Sequence, residues 1–219
     1  MRGIGKQPLL IKNPNRNQKM RAKLSKEFYT RTDVTLIARE LLGKVLCTNI
    51  DGVLTSGIIV ETEAYSQSER ACHAFGGKRT PRTEIFYNDG GLSYVYLCYG
   101  IHHLFNIITN LSDTADGILI RAVEPVDGIE EMLERRGMDK IAPRIAAGPG
   151  SVSKALGIDK THNGLHLWDN EIWIEDRGIS YKKSQIIASP RVGVDYAGED
   201  AKLPWRYRVK DNIWTSKAK

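Results

Sequence analysis

The apolar and polar positions of this chain fall into short blocks, and most of them read as strands. Helical spacing comes first. Leu36, Ile37, Leu41 and Leu42 give Val34 to Leu42 one apolar side, with Asp33 as N-cap and Gly43 as the stop. Lys44 to Ile50 and Val53 to about Ala64 then read as two strands. Asp51-Gly52 joins them, the turn pair with the strongest short-range hairpin signal. The β-branched and aromatic run from Tyr94 to Tyr99 predicts a strand that turns at Gly100 and returns over Leu104 to Thr109. Asn110 to Asp116 is polar and turn-like, and Gly117 to Val123 reads as a buried strand. Val126 to Arg136 is a helix stopped by Gly137, and glycines with Ser151 open a short helix within Ala147 to Gly157. Glu171 to Asp176, Arg191 to Val194 and Arg206 to Val209 are further strands. No internal repeat or second-domain linker interrupts the series.

Four places break the ordinary pattern. The turn after Tyr96 carries Tyr99 beside Gly100 and Ile101, a large apolar load where hairpin tips are usually polar; either a neighbouring element covers it or it touches a partner. The second strand ends in Glu61, Glu63 and Tyr65, which share one face because strand side chains alternate. Such carboxylates commonly mark a strand emerging into water. Kept near a core, one of them could serve as a base. Arg121 stands inside an apolar strand and needs an anionic partner, since an unpaired buried charge costs several kcal/mol; Glu63 is one candidate. Last, residues 66 to 92 form a long loop in which Lys78, Arg79 and Arg82 lie among glycines, Thr80 and Pro81, a composition able to approach a phosphate backbone. Gly148 to Lys154 adds a helix N-terminus with a lysine close by, but the P-loop spacing is absent.

Composition sharpens the choice of partner. At 219 residues, 41% hydrophobic and 26% charged, the chain suits a single domain with a full core. The formal charge of +6 favours an anionic partner. Part of the excess is local: residues 1–26 hold eight lysines and arginines and no acid, which predicts a basic, disordered arm ahead of a domain over 27–219. Three well-separated cysteines with no CxxC pair suggest neither a disulfide framework nor a zinc site. No apolar run approaches a membrane span. Without a signal-peptide core, the expected compartment is the cytoplasm and nucleoid for a bacterial host, or the nucleus for a eukaryotic one.

Taken together, these stretches resemble the alkyladenine (3-methyladenine) DNA glycosylase family. The resemblance rests on Val60 to Tyr65, His73-Ala74-Phe75 with Thr80-Pro81-Arg82, Tyr94-Val95-Tyr96 with Tyr99-Gly100, Asn106, Leu119 to Pro125, Gly148-Pro149-Gly150 with Lys154, and Arg191 to Gly198. It runs in one order from residue 30 to about 215, and Thr83 stands where the family pattern has asparagine. It implies an α+β domain on a curved antiparallel sheet with flanking helices and a protruding, DNA-intercalating hairpin. The implied substrate is duplex DNA carrying a damaged purine (3-methyladenine, 7-methylguanine, hypoxanthine or ethenoadenine), and the implied product is an abasic site without strand cleavage. The enzyme would act as a monomer, with no cofactor and no metal. Glu63 matches the catalytic carboxylate that activates water, Arg121 helps hold it, and a backbone carbonyl near Val194 contributes. Tyr65 stacks on one face of the flipped base, His73 and Tyr96 on the other. Leu119 belongs to the same pocket, and Asn106 is a gate against normal guanine. Tyr99 is the wedge, with Ile101 and His102 beside it, while Lys78, Thr80, Arg82 and Lys154 lie near the phosphates.

Two other classes remain open on residues alone. A metallohydrolase could draw on Glu61, Glu63, His73, His102 and His103, but adjacent strand histidines point to opposite faces and no HExxH spacing occurs. A binding module without catalysis would suit the charge and aromatics, yet gives no reason for a buried glutamate–arginine pair.

Overall fold

The computed structural model describes residues 22–217. Most of the expected basic arm, residues 1–21, lies outside them. Its last residues join the fold: Ala22–Lys23 is strand β1, and Lys26–Tyr29 is the one-turn helix α1. There follow α2 (Val34–Glu40), β2 (Val45–Ile50), β3 (Val53–Ser66), β4 (Ser93–Cys98), β5 (His102–Thr109), β6 (Asp116–Asp127), α3 (Ile129–Arg136), α4 (Pro149–Leu156), β7 (Ile172–Asp176), β8 (Ile186–Ser189) and β9 (Arg206–Val209). The strands form one antiparallel sheet in the order β1-β7-β2-β3-β6-β5-β4. Where β2 ends, β9 takes its place beside β3, with β8 outside it.

Local chemistry accounts for the element ends. The Asp33 carboxylate accepts from the Thr35 and Leu36 N–H groups, each at 2.9 Å, an N-cap worth about 1 kcal/mol. Asp51 and Gly52 both sit at positive φ, 54° and 79°, as a type I′ hairpin requires. The Thr62 hydroxyl donates to the Ala38 carbonyl at 2.8 Å and ties α2 to the middle of β3. Ile37, Leu41, Leu46, Ile59, Phe105, Ile107, Ile118 and Ile120 are fully buried and form the heart of the core. Helix α4 closes it over β5 and β6, with α3 packed on α4.

β3 is the strand on which the rest depends. Its pairing with β6 shifts register between Ile59/Val123, Glu61/Ala122 and Thr62/Ile120, so Val60 and Arg121 fall out of the ladder. Bulges of this kind re-aim side chains. The Arg121 carbonyl is taken up instead by the Gly148 N–H at 2.9 Å, and its side chain reaches the carboxylates of β3.

Three expectations change. Arg191 to Val194 is not a strand. Gly193 has φ +73°, and the Val192 N–H is spent on Glu63; the ladder beside β9 is filled by β8, ahead of Pro190. The helix expected from Val126 starts at Ile129, because β6 continues through Pro125 and Gly128 caps the helix at φ +72°. A Cβ at Gly128 would lie 2.3 Å from the Leu54 carbonyl oxygen, so only glycine fits. The loop of residues 66–92 is folded around its own apolar cluster of Cys72, Ala74, Phe86, Tyr87, Tyr94 and Ile108, with 3-10 turns at Phe75–Gly77 and Glu84–Tyr87. Thr83 closes a turn there, its hydroxyl donating to the Lys78 carbonyl and accepting from the Thr80 N–H.

Candidate active site

The loop cluster, the β4–β5 hairpin, the end of β3, the start of α4 and the Val192–Val194 turn surround a cavity of about 430 Å³. That lies within the range of about 300–1,000 Å³ usual for small-ligand sites. Tyr65, His73, Tyr96, Asn106, Leu119, Arg121 and Val194 all line it, as do Tyr99 and His102 of the hairpin. The residues expected to form one pocket are therefore brought together.

Beneath the cavity Glu63 is fully buried. One carboxylate oxygen accepts from the Val192 N–H at 2.8 Å. The other accepts from the Tyr65 hydroxyl at 2.8 Å and from Arg121 at 3.2 Å. A carboxylate offers about four acceptor positions, so one remains for a water or a reacting group. Burial, then the neighbouring Glu63, push the Tyr65 phenol well above its ordinary range, so it stays the donor in that bond. Burial works against the Arg121 charge, but Glu63 and Glu61 outweigh it and raise the arginine further.

Glu61, on the same strand face, has a different use. Arg121 and Arg206 each donate to it at 2.8 Å, and Ser216 supplies its backbone N–H at 2.6 Å and its hydroxyl at 2.8 Å. It is a saturated structural carboxylate that holds Arg121 from behind. The sequence offered Glu63 as one candidate partner for Arg121. The structure divides Arg121 between both glutamates and adds Arg206 and Ser216 to the cluster, partners that no spacing in the sequence could reveal.

The aromatic walls are equally constrained. His73 meets Tyr96 edge-on at 4.9 Å, and Tyr94 stacks on Tyr96 at 5.3 Å. The Arg82 Nε–H donates to the Tyr94 hydroxyl at 3.0 Å, and that hydroxyl lies 3.0 Å from His73 Nδ1. Arg82 Nη2, which can only donate, also lies 3.5 Å from Nδ1, so Nδ1 is the acceptor, Tyr94 gives its proton to it, and the network assigns the ring N–H of His73 to Nε2. Burial, then Arg82, push the imidazole down from 6.5 to about 4. The unfolded chain binds more protons than the folded protein at this site between those values. The contribution of His73 to stability is thus complete above pH 6.5 and is lost as pH falls toward 4. Thermal denaturation at stepped pH is expected to show a smaller acid-side loss for His73→Gln than for the parent chain. Equal losses would remove His73 from the acid response.

At the cavity mouth the hairpin tip is bare. Tyr99 is 90% exposed and Ile101 73%, so the tip is not core. Tyr99 and Gly100 both have positive φ, 50° and 72°. A left-handed tyrosine costs roughly 1–2 kcal/mol, and strain of that kind collects at functional sites. The ring of His102 lies against Gly150 at the start of α4, where a Cβ would come within 2.9 Å of it. Lys78 and Lys154 are exposed and Thr80 is half-buried. The Arg82 guanidinium is turned toward the cavity wall, over the Tyr96 ring at 4.8 Å.

The amide of Asn106 donates to the Tyr94 and Leu104 carbonyls at 3.1 and 3.2 Å, which fixes its orientation. Sequence reasoning missed Tyr196, an exposed ring on the cavity wall, and the buried pair Glu69–Arg191 beneath Tyr65. Tyr196 showed only within a motif match, while Glu69 lay in the long loop and Arg191 headed an expected strand, with nothing in either stretch to signal their pairing. Among the described residues no cluster of three or more histidines, cysteines or acids could hold a metal, and no helix is long and apolar enough to cross a membrane.

The geometry can be set beside known proteins. A family model described as methylpurine-DNA glycosylase matches residues 27–213. Relatives that carry the name "Putative 3-methyladenine DNA glycosylase" include one from Clostridium perfringens strain 13, 44% identical over 204 residues, covering 89% of this chain and 99% of the relative. Another, from Desulfitobacterium hafniense, is 41% identical over 202 residues, covering 89% and 98%. A third, from Bdellovibrio bacteriovorus, is 42% identical over 197 residues with the same coverage. With the match running through every strand and helix that builds the cavity, the chain belongs to the methylpurine-DNA glycosylase family.

Proposed function

We propose that this chain hydrolyses the N-glycosidic bond of damaged purines turned out of duplex DNA, releasing the base and leaving an abasic site with the strand intact. One observation carries the reading: a fully buried glutamate with one acceptor position left, directly under a purine-sized cavity walled by tyrosines and a neutral histidine. A base inside a duplex is out of reach of such a site, so the nucleotide must be flipped. Glu63 then activates a water and offsets the positive charge that develops on the sugar as the bond breaks. Arg121 holds Glu63 in place. The Val194 carbonyl accepts from the Ala197 N–H at 2.8 Å and has a second lone pair to offer that water. Among the described residues no lysine lines the cavity, which favours direct hydrolysis over a Schiff-base route. Chromatography of free base after incubation with hypoxanthine-containing duplex tests the proposal. Binding without release would favour a non-catalytic module instead.

Asn106 accounts for selectivity. Anchored by two carbonyls, its amide cannot swing aside, so the exocyclic amino group of normal guanine meets a fixed obstacle. Asn106→Ser is expected to allow slow release of undamaged guanine, measured by mass spectrometry of the small-molecule fraction. If the variant still ignores guanine, selectivity resides elsewhere.

A further inference from the structure

Both tyrosine walls of the cavity carry a guanidinium. Arg191 lies 4.7 Å from the centre of the Tyr65 ring, and Arg82 lies 4.8 Å from that of Tyr96. Tyr65 and Tyr96 line the cavity and neither arginine does, so both cations stand outside the space a base would occupy while touching its walls. Arg191 is locked there. Its side chain is 0% exposed, Glu69 grips it at 2.6 and 2.8 Å, and the Ala64 and Asp200 carbonyls accept from it at 2.9 and 3.1 Å. Arg82 is held by Tyr94, lies 3.5 Å from His73 Nδ1, and makes no ion pair among the described residues.

An aromatic face attracts a cation through its ring quadrupole. A ring already polarised by a guanidinium on one face offers less to a second cation on the other, and the two like charges repel across it. Glu69 offsets the charge of Arg191 at a distance. Arg82 has no such carboxylate, and its field also helps keep His73, the third wall, uncharged. Damaged purines divide along this line. Methylation at N3 or N7 leaves a positively charged ring in DNA, whereas hypoxanthine is neutral.

We propose that Arg82 and Arg191 are specificity-determining residues that set the cavity to favour neutral damaged purines over cationic N-methylpurines. This rests on the glycosylase reading and refines its substrate class. Cationic bases also leave more readily by themselves, so the informative quantity is the ratio of the two rates in a variant compared with the parent chain.

The test is single-turnover excision of 7-methylguanine and of hypoxanthine from otherwise identical duplexes, using the full chain. Arg82 sits on an exposed loop, so Arg82→Gln leaves the core untouched. Its cationic-to-neutral ratio is expected to rise about threefold or more, on the scale of an exposed cation–π contact. Arg82→Lys keeps the charge and should hold the ratio within about twofold of the parent, since lysine also makes cation–π contacts. Arg191→Met combined with Glu69→Gln removes the buried pair without stranding a carboxylate, and should raise the ratio by no more than Arg82→Gln does, since Glu69 already offsets much of the Arg191 charge. If Arg82→Gln slows both substrates equally, Arg82 is a phosphate contact and the inference is overturned; an unchanged or lower ratio overturns it too. If the parent chain releases neither base, the glycosylase reading fails as well. Release of both with an unmoved ratio sinks this inference alone.

Discussion

Glu63→Gln is expected to release damaged base at least about a hundredfold more slowly than the parent chain, the low end for loss of a general base. The substitution keeps the side chain's shape and its place under the cavity. On the proposed mechanism it removes the negative charge that offsets the developing sugar cation and the lone pair that takes the water's proton. Glu63 accepts from Val192, Tyr65 and Arg121 on two oxygens. Glutamine has one oxygen, so at least one of these donors faces an N–H₂ group, at a cost to stability of about 1–3 kcal/mol. That loss leaves the protein folded, and the walls of the cavity remain. Affinity for damaged duplex should therefore persist while single-turnover release collapses. Near-parental turnover by Glu63→Gln would remove this carboxylate from the chemistry.

Tyr99→Ser is expected to separate activity from folding in the opposite sense to a core substitution. The ring is almost wholly exposed and held at φ 50° on a turn closed by the Ile101 N–H and the Cys98 carbonyl at 3.1 Å. Its removal breaks no contact of the core. The melting temperature should move by no more than about 1–2 °C, as for a neutral surface change in a domain of this size. Excision from duplex should fall at least about tenfold, because nothing then fills the gap left by a flipped nucleotide, and unstacking with unpairing costs a few kcal/mol. Non-specific DNA binding should change far less, since backbone charge governs it. Large loss of stability with activity tracking folded protein would contradict the wedge.

Much of the site could be read from the chain because it is written locally. Alternation alone put Glu61, Glu63 and Tyr65 on one face, and the Asp51-Gly52 pair and the Asp33 cap fixed the flanking elements. An apolar tip on a short hairpin was visible as an anomaly, and 90% exposure of Tyr99 resolves it against burial. What the sequence did not reveal depends on contacts far apart in the chain. Glu61 and Glu63 look alike on paper; Arg206 and Ser216, some 145 and 155 residues away, make the first structural, and Val192 orients the second. Arg191 to Val194 has β-branched residues and reads as a strand, but a buried ion pair with Glu69 and a left-handed Gly193 outweigh that propensity. Arg82 reads as a loop cation. Only the folded position of Tyr94 and Tyr96 shows that it packs against the residues of the cavity wall.

The central claim is hydrolysis by an activated water, and one measurement addresses it directly. The chain is incubated with a duplex carrying a single hypoxanthine, with and without borohydride present throughout, and the products are analysed by mass spectrometry. Borohydride present during turnover would convert a Schiff base between protein and sugar into a stable adduct. The account predicts free hypoxanthine and abasic strand in equal amounts, an uncut strand and no protein–DNA adduct. A borohydride-trapped adduct, or a strand break in place of the abasic site, would contradict it.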